Sequence, residues 1–413
     1  MNTFELPNGL RVIFSPDSNM EAVAVCLYFR HGVRHDPADV FGGSYLYQNL
    51  MFLGTENFEP FDHVLFVNKV GGSIGGRINY DNSFFYQIVP ATEIQTALKY
   101  ESERLRSLKL PDSSIDSQKN QIAARFTRLL EANVPFRAQA WVNSKILEGT
   151  PYEVPVYGDV SKIRSSGNDR IRELYRNFQN PANVVLLIAG KLNVLELRNS
   201  INDWFVDLPS ASRPKAAYSP SPGSKGLYLF KNWLVPGLSR NFAVFGFKAP
   251  SRFNYDYLYF DFLRYYFCDE RISRLRHILR NVNKLDVDVD AELSDFFNAN
   301  SLTLQITSST RISLEQSKEI INQELADMRK ILVSNSDLRA VKTLMELDFL
   351  KSFSSLESRC QKIAEFFHMT NDLNHANAYL ARMRKITSYD IMNIVQKYLV
   401  QENRVILNVY PAK

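Results

Sequence analysis

One pattern recurs in this chain at a distance that implies a duplicated architecture. Lys162-Ile163-Arg164-Ser165 leads through a helical stretch into the apolar run Pro181-Ala182-Asn183-Val184-Val185-Leu186-Leu187. Lys385-Ile386-Thr387-Ser388 leads through another into Glu402-Asn403-Arg404-Val405-Ile406-Leu407-Asn408. The offset between the copies barely changes from start to end, and each copy closes one half of the chain. A repeat this long means two similar domains, not a solenoid. Between the halves lies PSASRPKAAYSPSPGSKG, residues 209–226, rich in Pro, Ser, Gly and Ala with little to bury. The expected organisation is therefore a first domain over 1–208, a linker over 209–226 and a second domain over 227–413.

Hydrophobic periodicity assigns the elements. Strands are predicted at 10–14, 22–29, 84–89 and 182–190, and helices at 43–53, 61–70, 93–107 and 115–130. Glycines at 54 and at 71–72 punctuate the ends of the first two helices. The fold class expected is α+β, each half a mainly antiparallel sheet packed with helices.

Composition removes several functions. The net charge is +5 over 413 residues, with no block of Lys/Arg, so nucleic acid is not an expected partner. No apolar stretch reaches the length of a membrane span. The first ten residues lack a basic region followed by an apolar one, so no signal peptide is expected. Cys26, Cys268 and Cys360 are far apart and form no CxxC pair, which favours reduced thiols in a cytosol over a disulfide or zinc framework. A periplasmic site is the alternative if a leader has been removed.

The segment Phe41-Gly42-Gly43-Ser44-Tyr45-Leu46-Tyr47-Gln48-Asn49-Leu50-Met51-Phe52-Leu53-Gly54-Thr55 resembles the active-site helix of the pitrilysin, insulinase and mitochondrial processing peptidase family, M16. That family's pattern is a glycine-led His-x-x-Glu-His, an apolar run, then Phe and Gly-Thr. Further matches run along the chain: Phe4-x-Leu6-x-Asn8-Gly9-Leu10, Gly32-Val33-Arg34-His35-Asp36, Asn180 to Gly190, and Ser273-Arg274-Leu275 with Leu279-Arg280. The resemblance implies two homologous domains of the LuxS/MPP-like metallohydrolase fold facing one another as a clam-shell chamber.

The chemistry that the resemblance implies is missing. Two imidazoles at i and i+4 on one helix face reach one Zn²⁺, and the Glu between them takes a proton from the metal-bound water. Those positions read Tyr45, Asn49 and Gln48, and the later third ligand falls on Arg125. A phenol with its usual pKa of about 10 is a poor zinc ligand at neutral pH. A neutral amide is not among zinc's usual ligands. Loss of the general base alone costs about 10²–10⁴ in rate, and a guanidinium opposes a dication outright. No catalytic residue, metal or cofactor is expected. The Arg125 guanidinium is expected to fill the metal position and bond Gln48 or Asn49.

Other candidates read more plainly. His31 and His35 are four apart, but Gly32 between them argues for a turn rather than a metal site. The glycine run 71–76 lacks the Lys-Ser/Thr of a P-loop and precedes a strand. By the resemblance, that strand is an edge to which an extended peptide can pair, starting at Gly75-Gly76-Arg77. The family's substrate-holding Arg carries over to Arg280, whereas its Tyr partner reads Val287. The aromatic cluster from Tyr255 to Phe267 reads as core packing rather than a ligand box.

The functional expectation is a catalytically inactive family member. It would pair as a heterodimer with an active zinc-peptidase homologue and help to hold peptide. A self-paired homodimer is possible but would have no active centre. Alternatives are a scaffold subunit resembling the respiratory-complex core proteins, or an active zinc peptidase with atypical ligands.

Overall fold

The predicted strands form, and they assemble into two sheets of the same design. The computed structural model describes residues 1–210 and 227–412. Of the proposed linker, residues 211–226 lie outside the described residues.

The first sheet contains β1 (Asn2–Glu5), β2 (Arg11–Pro16), β3 (Ala22–Phe29), β4 (Ser73–Ile78), β5 (Ser83–Pro90) and β6 (Val184–Gly190), in the order β1-β2-β6-β3-β5-β4. Every neighbour is antiparallel except β2 with β6. The second contains β7 (Leu229–Val235), β8 (Asn241–Ala249), β9 (Val287–Leu293), β10 (Asn300–Ser308) and β11 (Arg404–Pro411), in the order β7-β11-β8-β10-β9. Its only parallel pair is β7 with β11. Without β1, the two orders are identical. In both, the strand that ends the repeated pattern is inserted beside the opening strand and pairs with it in parallel. The repeat legible in the sequence is thus a repeat of topology.

Each sheet anchors one compact unit, and the units do not follow the chain in simple blocks. The first draws its described residues from 1–128, 154–210 and 351–376. The second draws them from 129–153, 227–350 and 377–412. In the first unit, the helix Leu356–Thr370 packs on β3 and β6. Its Cys360, Ile363 and Phe367 join Cys26, Tyr28, Phe84 and Leu187 in one apolar cluster. In the second unit, the helix Val134–Ile146 lies on β8 and β11, close enough that Val142 and Ile146 would clash with any side chain at Gly246. The aromatic run forms the helix Tyr257–Cys268, and Phe260, Phe262, Tyr265, Tyr266 and Phe267 are buried in the second core, as packing required. Among the described residues, no helix is long and apolar enough to cross a membrane.

Candidate functional site

The segment expected to be one helix over 43–53 is shorter and tighter. A 3₁₀ turn, Gly43–Leu46, leads into a single α-turn, Tyr47–Leu50. Beyond it, Phe52 and Leu53 again bond three residues back, to the carbonyls of Asn49 and Leu50. The glycine-led start of the segment is pinned from outside. The buried Asp36 carboxylate accepts the backbone N–H groups of Gly42 and Ser44, each at 3.0 Å, and the Ser44 hydroxyl as well. Gly42 has φ +95° and lies against Gly158, whose φ is +73°. A Cβ at Gly42 would come within 2.5 Å of the Gly158 Cα. We therefore expect Gly42→Ala to lose roughly 2–4 kcal/mol in urea unfolding, left-handed strain adding to overpacking. Gly71→Ala, also left-handed (φ +72°) but with open space around it, should lose only about 1 kcal/mol.

Two of the positions, Tyr45 and Asn49, meet the helix Asp112–Ala132, which carries Arg125, but not at one point. The Asn49 amide donates to the Gln118 side-chain oxygen at 2.9 Å. Tyr45 meets Phe126 edge to face with centroids 5.8 Å apart, and Phe126 stacks on Tyr157 at 3.5 Å. The partners of Asn49 and Tyr45 are thus two turns, about 12 Å, apart along that helix. Divergence follows from the backbone, because Tyr45 sits in the 3₁₀ part, where four residues do not return to the same face. Lys119 anchors the helix, donating to the Ser166 carbonyl at 2.5 Å and to Asn168 at 2.6 Å.

Arg125 does not do what was expected of it. It is exposed, bonds neither Gln48 nor Asn49, and lies over the Phe126 ring at 5.6 Å. The Asn49 amide nitrogen points instead to Gln118, seven residues before Arg125 on the same helix. Burial pushes the Tyr45 phenol pKa up, and the Arg125 charge opposes the shift. These residues do not fit a zinc ion: a protonated phenol, two amides and a guanidinium supply no anionic or imidazole donor. Among the described residues, no group of three His, Cys, Asp or Glu side chains is arranged to hold a metal.

His31 and His35 flank a 3₁₀ turn, Val33–His35, as Gly32 suggested, and their rings stack 4.9 Å apart. His35 Nδ1 lies 3.1 Å from both the N and the O of Gly32. Burial, with His31 and Arg34 beside it, holds its pKa down to about 3. A histidine whose folded pKa is depressed contributes stability that is fully present above the unfolded value of about 6.5 and is lost as pH falls towards the folded one. By pH ~5 the loss should be about 2 kcal/mol. His35→Gln should flatten that part of a plot of urea midpoint against pH.

β4 is an edge strand, paired only to β5. Its glycines answer a packing demand: a Cβ at Gly76 would sit 2.3 Å from the Phe85 ring, and one at Gly75 would sit 3.0 Å from Tyr86. Arg77 lies over the Phe84 ring at 5.6 Å and pairs with Glu357 at 3.0 Å. In the second unit, Arg280 lies in a π-helical turn, His277–Val282, and pairs with Asp288 at 2.9 Å, both side chains nearly half exposed. Val287 is buried at the start of β9. A cavity of about 340 Å³ in that unit is lined by Phe136, Gln139, Asp290, Glu292, Thr303 and Gln305. None of the residues singled out in the sequence lines it. The sequence reading did not find the Asp36 clamp, the Phe126–Tyr157 stack or the Gly42–Gly158 crossing. Asp36 stood in a motif already noted, but its role needed the fold.

A duplicated α+β unit, with a glycine-led turn facing a long helix beside an open edge strand, is the layout of an HxxEH metallopeptidase with its ligand positions replaced. The chain belongs to peptidase family M16. The model described as "Insulinase (Peptidase family M16)" matches residues 11–159, and "Peptidase M16 inactive domain" matches residues 167–345. The chain is 23% identical over 208 residues to the insulin-degrading enzyme homolog of Dictyostelium discoideum, a match spanning 49% of this chain and only 21% of that protein. It is 19% identical over 356 residues to the uncharacterized zinc protease YmxG of Bacillus subtilis, covering 86% of this chain and 85% of that one. In fold it is similar to a protease from Helicobacter pylori, with a TM-score of 0.89 at 17% identity over 99% of both chains.

Proposed function

We propose that this chain is a non-catalytic M16 subunit that pairs with a zinc-bearing homologue and helps to hold its peptide. The observation that carries this reading is the state of the metal position. The scaffold that builds it is intact, from the Asp36 clamp to the Gly42–Gly158 crossing, yet Asn49 is spent on Gln118 and Tyr45 on Phe126. Nothing there can bind zinc or take a proton from water. The features suited to an extended peptide persist. β4 offers a free edge at Gly75, Gly76 and Arg77, and Arg280 sits in a π-turn, a geometry frequent at functional sites. Three buried thiols are consistent with a cytosolic setting.

The test is co-purification at native abundance, followed by reconstitution. A stable complex with an M16 homologue that bears His-x-x-Glu-His, and that cleaves peptide faster than the homologue alone, is the expected result. A monomer that recovers no such homologue and leaves its activity unchanged would sink the reading. Peptide cleavage by this chain alone, inhibited by a chelator, would instead make it an enzyme with other ligands.

A further inference from the structure

Resting on the peptide-holding reading, we infer that the former metal position is a carboxylate-binding site, with Arg125 as the cation and the Tyr45 hydroxyl as a second donor. Both groups border one ring: the Arg125 guanidinium lies 5.6 Å from the Phe126 centroid, and the Tyr45 ring lies 5.8 Å from it. Phe126 itself stacks on Tyr157, with ring centroids 3.5 Å apart. Arg125 is exposed and, among the described residues, no carboxylate pairs with it. Several other described arginines are unpaired too, but Arg125 is the one that lies over the ring that Tyr45 also meets. The Tyr45 hydroxyl likewise has no acceptor among the described residues. Two turns towards the start of the helix, Asn49 and Gln118 bond one another rather than Arg125 or Tyr45.

The ligand class follows from the donors. One planar guanidinium, one phenolic O–H and one apolar ring suit a single planar anion rather than a phosphate, which would call for more cationic contacts. A polypeptide offers that group at its C-terminus or on an Asp or Glu side chain. The two sources share one chemistry at this site.

The experiment uses N-acetylated degenerate decapeptide pools incubated with the full chain, the bound fraction being quantified by mass spectrometry. The four pools have a free or an amidated C-terminus, with or without Asp and Glu. Pools that contain a carboxylate should be enriched about tenfold over the amidated pool without acids, the worth of one charge-assisted hydrogen bond at a partly exposed site. Enrichment confined to free C-termini identifies the terminus as the source, and enrichment that follows Asp and Glu identifies side chains. Arg125→Gln should erase the preference without weakening the amidated pool that lacks Asp and Glu, Arg125→Lys should restore part of it, and Tyr45→Phe should reduce it. Equal binding of all four pools, or a preference that survives Arg125→Gln, overturns the inference and leaves peptide holding intact. Binding of none of them overturns both.

Discussion

Replacing Arg104 with Met should destabilise the protein by about 3–5 kcal/mol, the usual consequence of removing one partner from a buried ion pair. Arg104 is 2% exposed and its partner Glu101 is 0% exposed. The guanidinium lies over the rings of Phe52 and Phe85, at 5.4 and 5.1 Å, and bonds the Glu101 carboxylate. Without it, Glu101 keeps only the Gln87 amide, at 2.9 Å. Burial already pushes the Glu101 pKa up, opposed first by Arg104 and then by the bond from Gln87. Losing the arginine raises it further. A carboxyl whose folded pKa exceeds its unfolded value of about 4.3 binds its proton more tightly in the folded state. Its folded form is therefore favoured at low pH and loses ground as pH rises through the folded pKa. The deficit of Arg104→Met should accordingly be smaller at pH ~5 than at pH ~7 in urea titrations. The double variant Arg104→Met/Glu101→Gln, which leaves no buried charge, should recover much of the loss. A deficit below about 1 kcal/mol at neutral pH would mean that water reaches Glu101.

This pair also marks what could and could not be seen in the sequence. Glu101 and Arg104 stand three apart on a helix that was foreseen, in a pattern any solvated helix displays, and nothing local announces that both are buried. The strands were legible because a run such as Val23 to Phe29 has only one way to bury its side chains. The duplication was legible because a helix and a strand recur in order, and the sheets repeat that order. The frame of the metal position was legible through Gly42, whose left-handed φ few other residues accept. Its filling was not. Arg125 and Asn49 were expected to meet because they occupy paired positions of a motif. The 3₁₀ turn that holds Tyr45, however, breaks the shared face of positions 45 and 49, and periodicity does not resolve 3₁₀ from α geometry. Tertiary partners were equally hidden. An apolar stripe shows that the helices Val134–Ile146 and Leu356–Thr370 bury a face, but not against which sheet.

The largest kinetic effect should come from the cysteines. All three are reduced and buried: Cys26 and Cys360 side by side in the first unit's apolar cluster, and Cys268 in the second unit's core. Burial pushes the Cys26 and Cys268 thiols well above their ordinary pKa, and the neighbouring Cys360 adds to the shift at Cys26. The thiolate is the reactive form, so reaction in place is suppressed twice, by access and by ionisation. A disulfide reagent near pH ~8 should therefore find almost no thiol in the native protein and all three in guanidinium chloride, with native rates lower by at least ~10³ because reaction waits on opening. The pattern of release is informative as well. Cys26 is covered by the helix Leu356–Thr370, which the chain supplies only after most of the second unit has been made. If that helix detaches as a local event, Cys26 and Cys360 will react together, ahead of Cys268. If each core opens only as a whole, two thiols will track the first unit and one the second, and Cys268→Ser will remove only the latter phase. Rapid labelling of Cys26 in the native state would contradict the packing of that helix on β3, and with it the account given of the first unit's core.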